Sequence, residues 1–264
     1  MIGRLSAAPT PAVPQEEWRG NVTDFGIVLA IAALTAFLTY LGAPAAERFE
    51  VPHRLVSAAL QFAAGIVAAL VALSLMPPAV RGGEPVGIAL AFFLGGATFV
   101  VFEYVSARRL AADSAADADV PSLGLYVGIL VDMFIDGVVI GIGATLTLMT
   151  GLLLALGMAM STMPLAFVTT ATAKRQGVSP ARRRQLALLF IVCIVAGALL
   201  GYGLLQHQAL ALRLMLVAFA SGFLVTTVTQ SMIPEANKEG EPSFAGILFV
   251  GGMSLYALMT LTIK

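Results

Sequence analysis

Long apolar blocks alternate with short polar ones along this chain. The apolar blocks fall at roughly residues 24–44, 55–76, 86–106, 122–146, 150–173, 185–205, 210–232 and 244–262. Each holds about 20 mostly apolar residues, the length a helix needs to cross a hydrocarbon core about 30 Å thick. The blocks are continuously apolar and lack the period-2 alternation of a membrane β-barrel. The pattern therefore predicts an all-α polytopic membrane protein with eight transmembrane helices over residues 23–264. Residues 1–22 are polar and rich in Pro and Ala (Pro9, Pro11, Pro14, Glu16, Glu17, Arg19). No apolar run directly follows a basic start, so they read as a mobile tail rather than a signal peptide.

Composition agrees. The 264 residues are 59% hydrophobic and 11% charged. Soluble domains carry about 25% charged residues, so a soluble globular enzyme is excluded. The formal net charge is zero, which leaves no basic footprint for nucleic acid. Cys193 is the single cysteine, which excludes an intramolecular disulfide, a thiolate zinc cluster and an iron–sulfur site. His53 and His207 are too few and too far apart for a histidine-built metal cage.

The basic residues set an expected orientation. The connections after helices 1, 3, 5 and 7 hold Arg48, Arg54, Arg108, Arg109, Lys174, Arg175, Arg182, Arg183, Arg184 and Lys238. The opposite side holds only Arg4, Arg19, Arg81, Arg213 and Lys264. Positive charge accumulates on the cytoplasmic side. The expectation is an integral protein of the cell (inner) membrane with both termini outside the cytoplasm and the lipid bilayer as its surroundings. The loop after helix 5 reads as the main topology anchor.

An internal repeat links helices 2 and 7. At a constant offset of 157, Phe62, Ala63, Gly65, Val71, Ser74, Pro77 and Ala79 match Phe219, Ala220, Gly222, Val228, Ser231, Pro234 and Ala236. An even-numbered helix is paired with an odd-numbered one, so the two cross the bilayer in opposite directions. This suggests an inverted repeat, helices 1–3 related to helices 6–8, of the kind secondary transporters use for alternating access.

Polar residues at membrane depth carry the candidate chemistry. Asp132 and Asp136 stand at i and i+4 and share one helix face. A carboxylate at a helix centre costs about 2.5–3.5 kcal/mol on insertion scales, so a pair needs a visiting ion, a proton or a polar partner. In helix 5, Ser161 and Thr162 lie close before Pro164, whose missing N–H frees a carbonyl near residue 160. Carboxylates, hydroxyls and a freed carbonyl together suggest an oxygen-rich cation site at Asp132, Asp136, Ser161 and Thr162. Met133, Glu103, Gln230 and Ser231 are lesser candidates for lining a pathway. For these the plainer readings are apolar packing for Met133 and interfacial positions for the other three. Two aspartates four apart on one helix fit an intramembrane aspartyl protease poorly, because such dyads come from separate helices. No Ser–His, His–Glu–His or phosphate-binding constellation is present either, so an enzyme is not expected.

These features resemble the ZIP (Zrt-, Irt-like) family of divalent metal transporters over most of the chain. Three local patterns carry the resemblance: the Leu-Met-Pro77 end of helix 2, the Ser221-Gly-Phe-Leu and Met-Ile-Pro234-Glu235-Ala236 of helix 7, and Asp136-Gly137-Val-Val-Ile-Gly141 of helix 4. The resemblance implies a 3+2+3 inverted-repeat bundle of eight helices, a divalent metal cation as substrate with no resident cofactor, and a homodimer. The family's helix 4 motif, His-Asn-x-Pro-Glu-Gly, falls here on Asp132, Met133, Phe134, Ile135, Asp136 and Gly137. Its helix 5 motif, His/Gln-Glu/Asp-x-Pro-Glu/His, falls on Ser161, Thr162, Met163, Pro164 and Leu165. Leu165 thus replaces the bridging ligand. The usual His-rich loop between helices 3 and 4 is here Arg108–Ser122, with Asp113, Asp117 and Asp119 but no histidine. The usual two-metal centre is therefore absent in its familiar form. The remaining oxygen donors suit harder cations such as Mg²⁺, Mn²⁺ or Ca²⁺ better than zinc. The alternative is a non-transporting ZIP-like scaffold or ion sensor.

Overall fold

The computed structural model describes residues 22–49, 52–116, 123–238 and 244–263. The expected mobile tail lies outside the described residues except for Val22, which opens the first helix. The elements are α1 (Val22–Tyr40), α2 (Gly42–Arg48), α3 (His53–Leu70), α4 (Met76–Gly82), α5 (Pro85–Ala116), α6 (Leu123–Leu146), α7 (Leu148–Arg175), α8 (Pro180–Leu205), α9 (Leu210–Thr227), α10 (Ile233–Ala236) and α11 (Ala245–Thr262). Eight helical spans are long and apolar enough to cross a membrane, and no strand occurs among the described residues. Large apolar side chains such as Phe37, Phe93, Ile247 and Leu261 are exposed on the outside of the bundle. This is the inverse of a water-soluble surface and fits lipid contact.

Helix ends differ from the sequence expectation where the residues beyond the apolar block still favour helix. The third span continues to Ala116, so Arg108 lies on a helix rather than in a loop, its guanidinium 4.6 Å from the centre of the Tyr104 ring. Ala and Arg are strong helix formers once the chain leaves the hydrocarbon region. Between α6 and α7 the chain turns at Thr147 alone. Its hydroxyl accepts the Thr150 N–H at 2.9 Å and caps α7, satisfying a donor that the first helical turn leaves unpaired.

The second and seventh spans are not uniform α-helices. Each contains one wide turn, Val71–Leu75 and Val228–Met232, in which the Met76 N–H reaches the Val71 carbonyl and the Ile233 N–H reaches the Val228 carbonyl. Each wide turn directly precedes a proline-bearing segment, α4 with Pro77 and α10 with Pro234. A proline ring clashes with the carbonyl four residues earlier and offers it no N–H, and the extra residue in the turn opens the helix at that place. The two wide turns stand 157 residues apart, the same offset as the sequence repeat.

Packing repeats at that offset too. A Cβ on Gly65 would lie 1.9 Å from the Phe249 carbonyl oxygen, and one on Gly252 would lie 2.0 Å from that of Phe62, so α3 and α11 meet backbone to backbone. One on Gly222 would lie 1.8 Å from the Phe92 carbonyl oxygen, and one on Gly95 would lie 1.8 Å from that of Phe219, joining α9 to α5 in the same way. Phe62 and Phe219, Gly65 and Gly222, Phe92 and Phe249, and Gly95 and Gly252 are all 157 apart. In lipid, where apolar burial drives helix association only weakly, such close contacts supply much of the attraction.

The principal core lies between α3, α6, α7 and α9, with Leu70, Ile140, Leu154, Met158 and Leu224 among its buried members. A second, smaller cluster of Ala36, Met133, Ala166, Phe190 and Ile194 joins α1, α6, α7 and α8.

Candidate functional site

The site is organised by α6 and its two neighbours. Glycines fix how α6 is rotated. A Cβ on Gly137 would sit 2.2 Å from the Ile194 carbonyl oxygen, and one on Gly141 would sit 2.3 Å from that of Ala198. In return, Gly197 and Gly201 of α8 press against the carbonyls of Phe134 and Val138. This four-glycine seam commits one face of α6 to α8. Asp136, one position before Gly137, is turned away from that seam by about 100°.

The opposite seam is with α7. A Cβ on Gly143 would lie 2.2 Å from Leu154 Cδ1, and one on Gly151 would lie 2.8 Å from Ala144 Cβ. Asp136 and Asp132 precede Gly143 by seven and eleven residues, and both multiples return within about 20° of the same direction. On α7, Ser161 and Leu165 follow Leu154 by seven and eleven residues. The two helices are antiparallel about the Thr147 turn, so counts from these contacts give approximate levels. Counting from these contacts brings Asp136 and Asp132 within about one turn of Ser161 and Leu165 along the axis. Asp132 and Asp136 straddle the middle of α6, about 14 Å from its nearer ends at 1.5 Å per residue.

Asp136 is 4% exposed, and Asp132 is half-buried with its Oδ1 inaccessible and without a partner. Among the described residues, no hydrogen bond or ion pair reaches either carboxylate. Buried carboxylate oxygens are nearly always satisfied, and an uncompensated one is costly. Ser161 and Thr162 are both buried, and both hydroxyls donate to the Met158 carbonyl, at 2.9 and 2.8 Å. With its proton so engaged, Ser161 Oγ keeps its lone pairs for a cation. Thr162 lies a further 100° round the helix. Its Oγ1 is 2.6 Å from Thr39 Oγ1 of α1, and since its own proton goes to Met158, it accepts from Thr39. Thr162 therefore braces α7 against α1. Thr35 reinforces the same seam, donating to the Ala155 carbonyl at 3.2 Å.

Other candidates scatter. Met133 is fully buried in the apolar cluster with Phe190 and Ile194, so it is a packing residue. Pro164 lines an apolar cavity of about 200 Å³ with Leu55, Val56 and Phe167. Glu103 is half-buried on α5, and Gln230 and Ser231 are exposed on the second wide turn. None of the three is joined to the aspartate pair.

Among the described residues, no group of three or more His, Cys, Asp and Glu side chains comes together. The polar side chains near mid-span of α6 and α7 are the two carboxyl groups and the Ser161 and Thr162 hydroxyls. The threonine pair Thr35 and Thr39 was the part of this region that sequence reasoning missed. Two threonines at i and i+4 in an otherwise apolar helix were the signal. Comparison with protein-family models and with curated proteins gives no match to this chain.

Proposed function

We propose that this protein is a ZIP-like secondary transporter that moves a divalent cation across the membrane by alternating access. The observation that carries the reading is the pair of aspartates at the centre of α6, Asp136 buried and Asp132 half-buried, neither with a hydrogen-bond or ion-pair partner among the described residues. A membrane protein holds such groups where an ion or proton visits them. Asp132 and Asp136 bind the ion, and Ser161 adds a neutral oxygen. This all-oxygen set favours hard cations such as Mg²⁺, Mn²⁺ or Ca²⁺ over zinc. The repeat at offset 157 in identities, wide turns and glycine contacts supports a 3+2+3 inverted architecture, in which two related halves exchange roles as the site opens to either side. We further propose a homodimer in the cell membrane with both termini outside the cytoplasm, and assign the chain no enzymatic reaction.

The test is cation uptake into proteoliposomes by the wild type and by Asp132→Asn and Asp136→Asn. Uptake is expected to fall to background in both while the variants remain folded. Replacing an unpartnered buried carboxyl group by an amide is expected to leave their melting temperatures equal or higher. Undiminished flux in both variants would sink the site.

A second reading has its own support. Leu165 stands at the position where the ZIP family carries a bridging ligand, and among the described residues no group of three acidic, histidine or cysteine side chains comes together. A non-transporting scaffold or ion sensor would tolerate both features. It predicts no flux for the wild type.

A further inference from the structure

A cavity of about 310 Å³ opens where the ends of α1–α2, α7 and α8 converge, at the end of the bundle that carries the excess of Lys and Arg. Tyr40, Glu47, Arg48, Thr170, Arg183 and Arg184 line it. It lies at the end of the bundle, whereas the aspartates stand at mid-span of α6, and none of its lining residues belongs to the proposed cation site.

Its charge is unbalanced by construction. The single acidic lining residue, Glu47, is consumed internally. Arg183 is 8% exposed and grips it with two hydrogen bonds, Nε to Oε1 at 2.6 Å and Nη2 to Oε2 at 2.8 Å. Arg183 also donates to the Val178 carbonyl, and Lys174 Nζ reaches the Glu47 carbonyl at 3.3 Å. The clamp neutralises Glu47 and ties α2 to the α7–α8 turn. Arg48 and Arg184 then face the cavity with no acidic partner among the described residues. Tyr40 and Thr170 also line it, the Thr170 hydroxyl donating to the Ala166 carbonyl at 2.8 Å. The space equals about ten water volumes, enough for a tetrahedral anion and its first ester group. Two guanidiniums, donors in a planar fork, match phosphate oxygens. Basic pockets between helices on the cytoplasmic side are where anionic headgroups seat.

We propose that this cavity binds a phosphate-bearing anion through Arg48 and Arg184, and that a headgroup of an anionic phospholipid is its source. The structure thereby assigns part of the basic cluster a defined site, beyond a diffuse attraction for the membrane surface.

The test uses the full chain purified in a neutral detergent and titrated with short-chain phosphatidylglycerol, short-chain phosphatidylcholine or inorganic phosphate, with melting temperature as the readout. Phosphatidylglycerol is expected to raise the melting temperature saturably and phosphatidylcholine to leave it unchanged. In Arg48→Gln/Arg184→Gln the apparent affinity should fall about tenfold or more, the equivalent of one lost hydrogen bond to a charged group. Arg175→Gln/Arg182→Gln removes equal charge from the same end without touching the cavity and should behave as wild type. A shift with phosphatidylglycerol alone identifies the headgroup. An equal, variant-sensitive shift with inorganic phosphate keeps the phosphate site and overturns the lipid as its source. Equal losses in both double variants, or no saturable shift with either anion, overturn the site.

Discussion

The α6–α8 seam makes a sharp demand on Gly137. In Gly137→Ala the new Cβ starts 2.2 Å from the Ile194 carbonyl oxygen. Ordinary C···O contacts in packed helices are about 3.3–3.6 Å, so the helices must part locally by about 1 Å. Neither side can yield by a rotamer change, because the obstructing atom is backbone. Gly141, Gly197 and Gly201 of the same seam lose their close contacts when the axes separate. Overpacking of this kind costs about 1–3 kcal/mol. Against it stands the helix-propensity gain of Gly→Ala, about 0.5–1 kcal/mol.

A control separates the two contributions. Gly203 lies on α8 with nothing within 4 Å of a built Cβ, so Gly203→Ala receives the propensity gain alone. Gly137→Ala should therefore melt below Gly203→Ala by an amount corresponding to about 1–3 kcal/mol, whatever the wild type does. Cys193, the single cysteine, is half-buried on α8 and provides the probe, its thiol reacting with a fluorogenic maleimide as the bundle opens. Because Gly137 adjoins Asp136, cation uptake should also fall with both aspartates intact. If Gly137→Ala melts with or above Gly203→Ala, the seam does not set the rotation of α6, and the argument for where the carboxylates face fails.

Other substitutions test neighbouring parts of the structure. Thr39→Val keeps the side-chain volume and deletes the 2.6 Å bond to Thr162; the expected loss is about 0.6–1.7 kcal/mol, the range for hydrogen bonds between membrane helices, read in an unfolding titration. Tyr256→Phe removes the 2.8 Å contact with Ser74 beside the first wide turn and should cost a similar amount. The position 157 before Tyr256 is already a phenylalanine, Phe99, seated edge-on against Phe223 at 5.0 Å, so the variant should fold normally. A Tyr256→Phe protein that fails to fold would show that the hydroxyl does more than tie two helices.

The eight spans were legible in the sequence because lipid imposes a length and an apolarity that few soluble segments share. The aspartate pair was legible for the converse reason, since charge at mid-span stands out against apolar neighbours. The offset-157 repeat was visible in helices 2 and 7, where Phe, Gly, Ser and Pro cluster. It was harder to see in helices 3 and 8, where Phe92 and Gly95 match Phe249 and Gly252 amid unlike residues. The wide turns left no trace, because one extra residue in a turn does not disturb a pattern that is apolar all round. The Thr39–Thr162 bond and the apolar cavity beside Pro164 were not legible, because both depend on rotation about the helix axis. Depth follows from counting residues, but facing depends on which neighbour claims each side, and only the glycine seams settle that.

The two functional readings separate through linkage between binding and stability. A cation that binds the folded protein alone stabilises it by about 2.7 kcal/mol at one hundred times its dissociation constant. A transporter shows this stabilisation together with flux, and both vanish in Asp132→Asn and Asp136→Asn. A sensor shows the stabilisation without flux. An inert scaffold shows neither, and there each aspartate is a net burden whose replacement by Asn raises stability with nothing lost. The scaffold alternative is physically the most demanding of the three. It requires a buried and a half-buried carboxyl group to persist at mid-span with no partner among the described residues.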